Sequence, residues 1–342
     1  VELGSLLADH TNLSVEPLVA GGSTLRLPRS LKRVMRVTFG SVVVLLSVSV
    51  VTFLLLHLMP GDPAIAILGE DATADRLEAV RDRLGLDEPL PAQFGQWLAN
   101  LARGDLGQSL FSSQTVMTAL STRLPVTISV TLAALAFALA VSIPAGVIAA
   151  THPGGWIDRA VSLGAAGGVA LPSYFIGSLL IVFLALKTDL LPATGYSPPS
   201  DGLGAWALGL VLPGITLGVA AAAEITRQLR GALRDVLRTD YIRTARAAGN
   251  SPRVVVWKYA MKNAAVPLVT VVGFQIAALL SGSVIVEQIF GIPGLGSLAV
   301  TSVLQRDIPM VQGLVLVTAT IVVITNLLVD TAVSVLNVKG RV

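Results

Sequence analysis

Apolar and polar stretches alternate along the 342 residues on a length scale set by a bilayer. About 20 consecutive apolar residues are needed to cross the hydrocarbon core. Apolar runs at 37–59, 124–150, 160–186, 206–226, 266–286 and 310–336 meet that length and predict six helical spans. The third run is longer than one crossing needs. Pro172 predicts that it kinks or divides, leaving part of it along the membrane interface. Turn residues punctuate the runs. Pro60-Gly61-Asp62-Pro63 stops the first span, and Pro144-Ala145-Gly146 interrupts the second. Pro153-Gly154-Gly155 sits in the turn after the second span. The fold class expected is therefore an all-α polytopic membrane protein with about six transmembrane helices.

The polar stretches define the domains. Residues 1–36 read as a cytoplasmic N-terminal segment, partly disordered, without an apolar core and cleavage site of the signal-peptide kind. Arg26, Arg29, Lys32, Arg33 and Arg36 precede the first span, 37–59, and hold that end in the cytoplasm. Residues 60–123 are polar and acidic, with amphipathic helices predicted at 75–84 and 91–101. They read as an extracytoplasmic domain inserted between the first two spans. A core at 124–336 follows, including a cytoplasmic loop at 227–265, and 337–342 form a cytoplasmic tail. Most of the 24 Lys and Arg fall on the proposed inner side, as the positive-inside rule requires.

Composition narrows the function. Hydrophobic residues make up 53% of the chain and charged residues 13%, about half the charge of a soluble domain. No cysteine is present, which excludes disulfides and thiolate metal sites. His10, His57 and His152 are scattered, and no lysine follows a glycine, so no Walker A loop exists. Any ATP that powers this protein binds another chain. The net charge of +3 lies beside apolar spans, where topology and lipid headgroups account for it without nucleic acid.

One polar island stands out. DYIRTARAAGNSPRVVVWKYAMKNAAVP, residues 240–267, carries Arg243, Arg246, Arg253, Lys258 and Lys262 between two apolar runs. Residues 241–248 are predicted as a helix with small residues at Thr244, Ala245, Ala247 and Ala248. Gly249-Asn250 stops it, and Ser251-Pro252 starts the next. A small-residue face admits a close partner, and flanking arginines orient it. The plainer alternative is a solvated basic loop.

This island resembles the EAA loop of permease subunits in bacterial ABC importers, with Gly249 as the motif glycine and Pro267 as its closing proline. Thr244-Ala245-Arg246 or Ala245-Arg246-Ala247 stands in place of the Glu-Ala-Ala triplet. FLLLHLMPGDP, LGLDEPLP, GDLGQSL and IFGIPGLG also resemble the dipeptide/oligopeptide branch, B-type, in order and spacing from Leu31 onward. The terminal Asn337-Val338-Lys339-Gly340 departs from that branch. The resemblance implies the type I ABC importer permease fold in a bacterial inner membrane, with both termini cytoplasmic. It implies half of a pathway for di- or oligopeptides and no enzymatic chemistry on this chain. No cofactor is expected here, since ATP and Mg would sit on ATPase partners. Tyr241, Arg243, Thr244, Ala245, Arg246, Ala247 and Gly249 would then couple to the ATPase. Ile292, Pro293, Gly294 and Leu295 are candidates for gating or for contact with an extracytoplasmic solute-binding protein. A paralogous C-type permease would complete the assembly. Nickel or glutathione permeases share much of this wording and remain alternatives.

Polar groups within the predicted spans are few: His57, Glu224, Gln275, Asn326 and Asp330. Interfacial or interhelical contacts suit them better than a proton relay. An ion-coupled secondary carrier, the competing class, would want carboxylates near the midplane. A non-transporting scaffold is a further alternative.

Overall fold

The computed structural model describes the backbone of residues 29–58, 63–68 and 73–336. The expectations for residues 1–25, for the Gly61-Asp62 turn and for the 337–342 tail lie outside these residues. The chain divides into two units, residues 1–40 and 41–342. In the first unit residues 29–40 are helical. The second unit holds everything described below.

Among the described residues all regular structure is helical, in chain order. Helix α1 spans Arg29–Leu58, α2 Pro63–Leu68, α3 Ala74–Leu84 and α4 Leu90–Ala102. Helix α5 spans Val116–Thr151, α6 Trp156–Ala170 and α7 Ser173–Leu180, which runs on as a π-helical turn, Ile181–Leu186. Helix α8 spans Leu203–Leu237, α9 Asp240–Ala247 and α10 Pro252–Val254; a second π turn, Val255–Ala260, leads into α11, Met261–Phe290. Helices α12, Leu295–Gln305, and α13, Ile308–Leu336, complete the series.

Among the described residues, four continuous helical stretches are long and apolar enough to cross a membrane: Val116–Thr151, Leu203–Leu237, Pro252–Phe290 and Ile308–Leu336. Helices α6 and α7 meet at 100° around Leu171-Pro172 and together supply a fifth candidate. The break expected at Pro172 is thus present, and its cause is the missing amide of proline. Pro144 does not break α5, which runs through both Pro125 and Pro144. It also starts earlier than the apolar run, where the Thr115 hydroxyl accepts from the Thr118 amide and caps it. Helix α1 adds a shorter apolar stretch, Phe39–Leu55.

The core forms around α5 and α8, the most extensive helix pair. Small residues permit their close approach. A methyl group on Gly218 would lie 2.6 Å from the Ala134 carbonyl oxygen, so only glycine fits there. Val130, Ala134, Leu212, Ile225, Val286 and Phe290 are buried between α5, α8 and α11. Helix α8 matters most for function because of its length. Its 35 residues span about 52 Å, well over the ~30 Å hydrocarbon core. Ile225, Leu229 and Leu233 recur at helical spacing and are fully buried, which keeps α8 helical past the end of its apolar run at residue 226.

Candidate functional site

At the far end of α8 the chain turns through Arg238-Thr239 into α9. Asp240 lies in its first turn and Arg246 in its last, both favourable for the helix dipole. Ile242 and Ala245 form the inner face and are buried at 0% and 8% exposure. Ile242 rests in an apolar cluster with Ala150 of α5, Leu229 and Leu233 of α8, and Val255 and Ala260 of the second π turn. The outer face presents Tyr241, Arg243, Thr244, Arg246 and Ala247. Asn263 of α11 donates to the Tyr241 hydroxyl, and Arg243 bonds Asp240 at 3.0 Å. Gly249 ends the segment with φ +81°, in the left-handed region that suits glycine. Ser251 then caps α10, with Pro252 at its first position.

The predicted helix, its glycine stop and the Ser-Pro restart are therefore all present. Ala245 is the correction. Its small side chain packs against the body of the protein rather than facing outward, because it shares a helix face with Ile242. Of the small residues, Thr244, Ala247 and Ala248 face solvent.

A second constellation lies at the opposite end of α11. The apolar run ends at residue 286, but the helix continues to Phe290, where Gly291 closes it at φ +61°. Glu287 is thus helical rather than in a loop, and it is fully buried. Its carboxylate accepts from the Thr127 hydroxyl of α5 at 2.7 Å and from the Ser297 amide at 2.9 Å. Thr127 in turn accepts from the Leu295 amide at 2.8 Å. The carboxylate therefore caps the N-terminus of α12, where unpaired amides and the dipole favour a negative charge. Gly294 and Gly296 press against Glu287, leaving no space for a β-carbon. Ile292, Gly294 and Leu295 are buried in this knot, and Pro293 is exposed. Asp307 repeats the device. It accepts from the Ser109 hydroxyl, the Leu110 amide at 3.2 Å and the Met310 amide, tying residues 109–110 to the start of α13.

The His57 side chain lies outside the described residues, and the other expected polar groups are not brought together. Glu224 is paired along its own helix with Arg227 and Gln228. Gln275 is half-buried, and Asn326 and Asp330 are exposed. Asp158, in the first turn of α6, is buried and grips Arg230 of α8 through Oδ1 and Oδ2, the latter at 2.9 Å. It also accepts from the Gly154 amide at 2.9 Å.

Comparison with known proteins completes the picture. Residues 142–341 match the family described as binding-protein-dependent transport system inner membrane component, and residues 30–131 match the N-terminal part of that description. The chain belongs to this family. Among its relatives is a probable peptide ABC transporter permease protein of Sinorhizobium fredii, 39% identical over 90% of this chain and 98% of that one. A putative peptide transport system permease protein of Brucella abortus is 42% identical over 84% and 91%. The glutathione transport system permease protein GsiC of Pectobacterium atrosepticum is 40% identical over 87% and 95%. In fold, the chain is similar to the inward-facing MetNI methionine ABC transporter, with TM-score 0.54, 21% identity, 66% of this chain covered and 99% of that one. The protein is thus a multi-pass inner-membrane permease component of an ABC transporter, a family that is non-catalytic. Such a permease works with a separate ATPase and a binding protein.

Proposed function

We propose that this permease forms half of a translocation pathway for di- or oligopeptides and that α9 is its coupling helix. The observation that carries the reading is the build of α9. A short basic helix stands beyond the apolar part of α8, gripped on one face by Ile242 and Ala245 and free on the other. A push or pull on that free face is transmitted to α5, α8 and α11, because all three meet in the cluster beneath it. The peptide and glutathione relatives support the solute class, with glutathione as the nearest alternative.

In this reading six spans place both termini and the 227–265 loop in the cytoplasm and residues 60–123 outside. The second half of the pathway is a paralogous C-type permease. ATP and Mg bind the ATPase subunits, which dock on Tyr241, Arg243, Thr244, Arg246 and Ala247, while Gly249 sets where α9 ends. The outer turn at Ile292–Leu295 and the 60–123 region meet the binding protein, with Pro293 as the exposed point of that turn. Closure of the ATPase pair moves α9, the spans rock, and peptide passes from the binding protein inward. The protein itself makes and breaks no bonds.

The test is Gly249→Val beside Gly249→Asn. Valine at φ +81° is strained by roughly 1–2 kcal/mol, whereas asparagine tolerates the left-handed region. The valine variant is expected to insert and assemble but to lose ATP-driven peptide uptake, and the asparagine variant to retain most of it. Full uptake by the valine variant would reduce 240–249 to a solvated loop.

A further inference from the structure

Between the inner ends of α5 and α8 and the α9–α10 segment lies an open cavity of about 390 Å³. Arg234, Arg238 and Arg246 line it, and among the described residues no carboxylate does. None of the three has an ion-pair partner among those residues, unlike Arg227, Arg230 and Arg243. The other polar lining groups are already engaged. Thr151 donates to backbone carbonyls of its own helix, and Asn250 donates to the Ala245 carbonyl. Three arginines thus line one space without a side-chain hydrogen bond or ion pair to the described residues, and Arg234 interacts through space with Asp158, whose direct partner is Arg230. Guanidinium forks match the oxygens of a phosphate group.

The rest of the wall is apolar. Ala150, Pro153, Val255 and Val256 line the cavity, so it offers a charged end and a greasy side, the pattern of an amphiphile. Trp156 and Trp257 are exposed, at 78% and 56%; Trp257 directly follows the lining residue Val256, and Trp156 lies three residues after Pro153. Exposed tryptophans collect at the level of lipid headgroups, and basic pockets between spans at that level take anionic headgroups.

We propose that this cavity binds the phosphate headgroup of an anionic phospholipid, held by Arg234 and Arg238. Because Arg246 of α9 lines the same cavity, an occupied cavity ties the coupling helix to the bilayer. The headgroup site rests on geometry and charge alone; only the leaflet that supplies the lipid rests on the topology proposed above.

The assembled transporter, purified with its ATPase chains, is titrated with phosphatidylglycerol or phosphatidylcholine and read by native mass spectrometry. Phosphatidylglycerol adducts that survive delipidation are expected, with phosphatidylcholine adducts absent. Each arginine near an anionic surface is worth about 1 kcal/mol, so R234Q and R238Q should each weaken the adduct about fivefold. R234K and R238K retain the charge and serve as folding controls, expected to keep most of it. Equal phosphatidylglycerol binding by wild type and R234Q/R238Q overturns the proposal. So does displacement by millimolar inorganic phosphate, which would make the ligand a soluble anion. Adducts seen only after the ATPase chains are stripped away would assign the cavity to the protein interface and overturn it too. Loss of peptide uptake with lipid binding intact bears on the coupling reading alone.

Discussion

Glu287 shows how one side chain can organise a surface. A buried carboxylate costs several kcal/mol unless it is well hydrogen-bonded, and here the Thr127 hydroxyl and the Ser297 amide supply those bonds. Glutamine at this position keeps the shape but turns a donor toward one of these two donors. Glu287→Gln is therefore expected to destabilise by about 1–3 kcal/mol, the cost of one unpaired buried donor. Glu287→Ala leaves both donors unpaired and should cost more. Thermal unfolding of the purified permease in detergent measures both, and an unchanged midpoint for Glu287→Ala would remove the capping role. The sequence placed Glu287 in an outer loop because hydropathy falls at residue 286. The signal that could have found it was Gly291, four residues on, in the position of a helix-ending glycine. Asp158 was missed for a related reason. Its partner Arg230 is 72 residues away, and no local pattern announces such a pair.

At the scale of elements, α9 carries the argument. Its end was legible because capping is local: Gly249 stops it and Ser251-Pro252 starts the next helix whatever the rest of the chain does. Its orientation was not legible, since the small residues occupy both faces. Orientation decides what substitutions do. Ala245→Glu forces a carboxylate onto the buried face that Ala245 shares with Ile242, and the expected result is poor folding, with low yield of assembled complex. Thr244→Glu changes only the exposed face, so normal yield with impaired ATP-driven uptake is expected. Quantifying assembled complex alongside peptide uptake separates the two. The face assignment fails if Ala245→Glu assembles normally while Thr244→Glu does not.

For the whole molecule, the topology is open to direct labelling, since the chain has no native cysteine. Cysteines placed singly at Glu78 and Arg253 are expected to react with an impermeant maleimide from opposite sides of the membrane. Reaction from one side only would exclude the six-span arrangement. The sequence by itself determined that the protein lives in a bilayer, that its regular structure is helical and where the apolar part of most long helices lies. Hydropathy, proline and glycine act locally, so these features can be read residue by residue. Family membership was legible as well, through several short motifs in order. The tertiary structure alone decided which side chains face inward, that α8 runs on past its apolar stretch to carry α9, and that α6 and α7 turn by 100°. It alone joined Glu287 to Thr127 and Asp158 to Arg230. These are contacts between residues far apart in the chain. They exist only once small residues such as Gly218 have let the helices close on one another, and no local periodicity encodes that approach.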